Sequence, residues 1–188
     1  MYRLSDIKPE EWRALASRPI FFGHQSVGEN LVQGVTDLLA SHPEIPLQVI
    51  ESRLVGSLPG AAFYHAKIGR NEHPDEKTAE FVEIASRVLR EPGSIGMVKF
   101  CYVDVRGDTD PATIFTQYQQ RIAVLRKAEP DLTIVHFTMP LHTNEGRVDY
   151  WRLRLRGRDT ERSRNLVRNR YNELLRAAYA GSEPIKAC

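Results

Sequence analysis

Pro19-Ile20-Phe21-Phe22-Gly23-His24-Gln25-Ser26-Val27-Gly28-Glu29-Asn30 changes its period halfway through. As far as Gly23 it is a short, continuous apolar run, which reads as a buried strand. From Ser26 onward the apolar residues take a helical spacing. Val27, Leu31, Val35, Leu38 and Leu39 fall on one face of a helix that ends near Ala40, and Pro43 and Pro46 stop it. Strand, tight turn and helix in this order are the opening unit of an α/β domain.

Working outward, the same alternation repeats. Residues 5–17 predict a short helix before the first strand, and 47–50 a second strand. A long irregular stretch follows over 54–74, of a length that usually marks a functional loop. Helical spacing returns over 75–90, and 95–105 carries the strongest strand pattern in the chain. Asp110-Pro111 starts another helix, with Asp110 as cap and Pro111 at its first position. A fourth strand covers 132–139, a charged, glycine-containing loop leads to a last helix over 160–180, and Pro184-Ile185 opens a possible fifth strand. Strands alternating with helices imply parallel pairing with helices on both faces. The expected architecture is a three-layer α/β/α domain with a parallel sheet of four to five strands.

The 188 residues fit one domain spanning 1–188 and can bury a full core without metals or disulfides. Cys101 sits in an apolar run and Cys188 is the last residue, so a structural disulfide is not expected. No run approaches the ~20 apolar residues of a membrane span. The start lacks the basic and apolar regions of a signal peptide. The expectation is therefore a cytoplasmic protein without a membrane partner, although a signal already removed would leave no trace.

Ligands of parallel sheets gather at the carboxyl ends of the strands. That rule selects the loops at 23–28, 54–74, 104–110 and 140–150. In the first, Ser26 stands where the strand meets the helix. Free backbone N–H groups and the helix dipole there favour developing negative charge. A hydroxyl so placed can attack a carbonyl, although serine is also a favoured N-cap.

The first loop, Gly23-His24-Gln25-Ser26-Val27-Gly28-Glu29-Asn30, resembles the first block of the SGNH (GDSL-type) hydrolases, in a divergent form with a His-x-Ser-x-Gly turn. The resemblance extends over most of the chain in element order and implies a flavodoxin-like sheet. It implies Ser26 as nucleophile, acting on an ester or acyl group of a small molecule or carbohydrate. It places Gly69 in the second block, where a glycine N–H joins the Ser26 N–H in holding the oxyanion, and Asn71 is a second donor there. Asp104 is the polar residue at the third block, whose usual asparagine is missing; it could orient a donor or a histidine, or bind the amides of the next turn. The fifth block, Asp-x-x-His, is absent, and no histidine lies beyond His142. Three readings stay open: the chain is truncated, the base comes from elsewhere, or the protein hydrolyses nothing. His142, after the fourth strand, and His24, two residues before Ser26, are the candidate bases.

No cofactor is expected. The chain has no dinucleotide or P-loop motif, because Glu29 stands where the P-loop lysine would follow Gly28. The histidine spacings match no zinc pattern. Arginine is dense from Arg152 to Arg158 and continues through Arg162, Arg164, Arg168, Arg170 and Arg176. Such residues usually form a solvated face, and they also suit an anionic ligand. A nucleic-acid-associated domain using the arginine-rich last helix is a further alternative, but few aromatics accompany these arginines, which argues against single-stranded nucleic acid as a partner.

Overall fold

Phe21 and Phe22 leave β1 (Pro19–His24) on opposite sides, and a hydrophobic cluster grows around each. The computed structural model describes residues 4–52 and 60–188. On the Phe21 side the core is large. It takes in Tyr64, Val98 and Ile134 from the sheet and Phe81, Ile122 and Tyr171 from α3 (Pro74–Val88), α4 (Pro111–Ala128) and α6 (Glu161–Tyr179). On the Phe22 side a smaller cluster joins Ile20 and Phe63 to Val32 of α2 (Gly28–Ser41) and Leu15 of α1 (Pro9–Ala16). Alternation along one strand thus sets both outer layers.

The sheet has six parallel strands in the order β2-β3-β1-β4-β5-β6. The others are β2 (Val49–Glu51), β3 (Ala62–Lys67), β4 (Ile95–Val98), β5 (Thr133–Phe137) and β6 (Ile185–Lys186). The three-layer, parallel, flavodoxin-like architecture is the expected one. The sixth strand is β3, which lies inside the stretch read as an irregular loop. Ala62-Phe63-Tyr64-His65-Ala66-Lys67 has no β-branched residue, so its strand propensity is weak. Pairing on both sides, Phe22 with His65 and Glu51 with His65, overrides that weakness. The rest of that loop's expected start, residues 54–59, lies outside the described residues.

Two other elements differ from expectation. The strand expected to reach residue 105 ends at Val98, and Tyr102–Asp104 forms a 3-10 turn. Asp104 causes the bend: its Oδ2 accepts the Cys101 N–H at 2.7 Å, which folds the chain back on itself. The arginine-rich segment forms a helix, α5 (Arg147–Leu155). The start of α4 is as expected, with Asp110 accepting the Ala112 and Thr113 N–H groups at 3.1 Å each.

Candidate functional site

The carboxyl ends of β3, β1, β4 and β5 lie side by side, and direct bonds tie their loops together. Gln25 Nε2 donates to the Gly69 carbonyl at 2.8 Å, joining the β1 and β3 loops. The Cys101 thiol donates to the Gln25 carbonyl at 3.1 Å, joining β1 to β4. The Tyr102 ring lies 4.7 Å from the His142 ring, joining β4 to β5. Asn172 of α6 accepts the Met139 N–H and donates to its carbonyl, at 2.7 and 3.0 Å, and so anchors the start of the β5 loop.

Ser26 lies at the centre of this edge, exposed, with φ at 43°. A serine in the left-handed region is uncommon and carries backbone strain. The turn is held by Gly28 N–H to the Gln25 carbonyl and Glu29 N–H to the Ser26 carbonyl, both 2.9 Å. Gly28 permits the close approach, because a Cβ there would lie 2.3 Å from His24 Cβ. Ser26 is not the helix cap: the cap position is Val27, and the Ser26 hydroxyl and N–H have no hydrogen-bond partner among the described residues.

The expected oxyanion donors part company. Gly69 takes a positive φ of 57°, and its N–H donates to Glu80 Oε2 at 2.6 Å, which removes it as a donor to substrate. Asn71 accepts from Lys77 Nζ through Oδ1 at 3.1 Å, leaving its amide N–H groups unpaired among the described residues. Asp104 binds amides and a cation rather than a histidine. Its carboxylate takes the Lys77 ammonium at 2.6 and 2.7 Å, the Glu72 N–H at 2.9 Å and the Cys101 N–H. Lys77 and Asp104 are both fully buried.

The two histidines differ in kind. His24 is buried, with Nε2 3.1 Å from His65 Nδ1 and its own Nδ1 unpaired. Burial, and then the His65 neighbour, lower its pKa to about 4, which makes it a weak base at neutral pH. His142 is half exposed. Its Nδ1 is 3.2 Å from the Thr143 carbonyl and 3.7 Å from Glu161 Oε2, and its Nε2 has no partner among the described residues. The Thr143 carbonyl holds Nδ1 at hydrogen-bond distance, Glu161 stands beyond it as a longer ion-pair neighbour, and Nε2 is left open to accept a proton. Glu161 is held in turn by Arg168 at 3.1 Å and Arg164 at 3.3 Å. Neither histidine bonds to Ser26.

Tyr102, Glu161 and Asn165 belong to this edge and were not singled out from the sequence; Arg168, read there as part of a solvated arginine face, is fully buried in it. Asn165 accepts the His142 N–H and donates to its carbonyl, and buried Arg168 donates to the Tyr102 carbonyl at 2.9 Å. The legible signal was the helical spacing of Glu161, Asn165 and Arg168, which puts them on one face of α6. Cys101 lies against the Ser26 turn, but burial pushes its thiol up, so it packs rather than attacks. Buried Lys99 donates to the Phe100 carbonyl at 3.2 Å and not to Ser26. Both cysteines are free. Among the described residues no group of three or more His, Cys, Asp or Glu side chains could hold a metal ion, and no helix is long and apolar enough to cross a membrane.

Several arginines are engaged internally. Arg70 donates to both Glu76 oxygens at 2.8 and 2.5 Å. Arg170 pairs with Glu173 at 2.9 Å. Comparison with family models, with curated proteins and with solved structures finds no match for the chain.

Proposed function

We propose that the protein is an SGNH-like serine hydrolase acting on an ester or acyl group of a small molecule or carbohydrate. The observation that carries this reading is Ser26: an exposed, unpaired hydroxyl on a left-handed residue at a strand–helix junction. Strain at such a turn serves no capping purpose here, and it projects a nucleophile from the edge of the sheet.

In this mechanism the Ser26 hydroxyl attacks the substrate carbonyl while His142 Nε2 accepts its proton. The Thr143 carbonyl on Nδ1 orients the imidazole, and the Glu161 carboxylate 3.7 Å away stabilises the imidazolium. The oxyanion takes hydrogen bonds from the Ser26 N–H and the Asn71 amide. Collapse breaks the ester C–O bond, His142 returns the proton to the leaving oxygen, and water then cleaves the acyl-serine by the same route. At a strand spacing of roughly 4.8 Å, the ends of β1 and β5 are about 10 Å apart, so His142 and Ser26 meet only as the two loops close on substrate. His142 replaces His24, whose lowered pKa and bond to His65 suit it to packing.

The test is a pre-steady-state burst with a short-chain aryl ester. Wild-type protein gives a burst, Ser26→Ala gives none, and His142→Ala slows it on the order of 10²–10⁴-fold. A second reading rests on the lack of a bond between His142 and Ser26: the edge binds an anionic ligand without chemistry. No burst from folded wild-type protein supports that reading and rejects hydrolysis.

A further inference from the structure

Helix α5 rests on the molecule by one side only and has no fully buried residue. Tyr150 and Leu153 are half-buried, and Leu153 lines a shallow cleft with Val103, Val105 and Arg106 beside the carboxyl edge of the sheet. The opposite side carries Val148, Trp151 and Leu155, which are 71%, 54% and 84% exposed. At about 100° per residue these three fall within an arc of about 60°. Arg147 and Arg154 border the arc on one side, and Arg152 and Arg156 on the other. From Arg147 to Arg158 there are five arginines and one aspartate. Only Arg152 is paired, with Asp149 at 3.1 Å; Arg147, Arg154, Arg156 and Arg158 have no carboxylate partner among the described residues.

We propose that this face of α5 docks on the surface of an anionic lipid bilayer. Val148, Trp151 and Leu155 sink into the acyl boundary, and the flanking arginines meet lipid phosphates. Three features select this occupant. The apolar arc is framed by cations on both sides, the distribution of a helix lying in a membrane interface. The excess positive charge complements an anionic leaflet. A nucleic acid, by contrast, would leave the central Val148, Trp151 and Leu155 without a role. The expectation of no membrane partner rested on the lack of a spanning segment, which does not bear on a helix lying flat. Docking is independent of the hydrolase reading, although it would place the bilayer beside the same edge of the sheet.

The chain has two tryptophans, Trp12 and Trp151, so Trp12→Phe leaves Trp151 as sole reporter. That variant is titrated with vesicles of phosphatidylcholine alone and with added phosphatidylglycerol. The expected result is a blue shift of Trp151 emission with the anionic vesicles only, reversed by raised salt. Leu155→Ser should weaken partitioning on the order of tenfold, and Arg154→Gln on the order of fivefold. Both residues are exposed, and far-UV circular dichroism should be unchanged. No shift, an equal shift with neutral vesicles, or no effect of Leu155→Ser would overturn docking. So would a Trp151 shift produced instead by self-association or by an oligonucleotide.

Discussion

Ser26 holds its left-handed backbone without any local bond from its side chain to offset the strain. Replacing it by glycine removes a Cβ that the conformation disfavours. Ser26→Gly should therefore raise stability by about 1 kcal/mol in urea denaturation while abolishing the burst. A loss of stability would mean that the turn is not strained at this residue. His24 makes the opposite kind of contribution. Its pKa falls to about 4 on folding, from 6.5, so below pH 6.5 the unfolded chain binds the extra proton. Stability is thus full above pH 6.5 and declines as pH falls toward 4, by roughly 3 kcal/mol in all. His24→Phe should flatten that acid limb, measured as denaturation midpoints at pH 7 and pH 5; an unchanged slope would assign the acid sensitivity to other groups.

At the scale of elements, the Lys77–Asp104 pair locks α3 to the turn after β4 and so fixes Tyr102 under His142. Lys77→Met leaves a buried carboxylate with only two backbone donors. It should cost about 3–5 kcal/mol, and the double variant Lys77→Met with Asp104→Leu should recover much of the loss. A single variant no worse than the double would show that the pair carries no such role. The same elements show what could be read beforehand. β1 was legible as a continuous apolar run, and α2, α3, α4 and α6 because their apolar residues repeat with a helical period over several turns. β3 was not, because its strand state comes from two neighbours rather than from its own alanine-rich residues. The Tyr102 turn was hidden inside an apolar run, since the Asp104 carboxylate that bends it onto the Cys101 N–H three residues back is itself held by Lys77 and the Glu72 N–H, which are tertiary contacts. Ser26 was legible from the change of period around it. Its φ, and the loss of the Gly69 N–H to Glu80, required the fold.

At the scale of the molecule, strand order makes the site. β1 sits between β3 and β4, and the chain crosses by α2 on one face and α3 on the other. The connections therefore part at the carboxyl edge beside β1, the switch point where ligands of such sheets bind. Ser26 stands at that point, and α6 brings Glu161, Asn165 and Arg168 to the next loop, where they hold His142. If Ser26 is an activated nucleophile, treating the folded protein with a fluorophosphonate and then analysing its peptides by mass spectrometry should give one phosphonyl adduct, on Ser26, formed more slowly in His142→Ala. Folded protein that stays unlabelled at Ser26, or labels only at other residues, would contradict it.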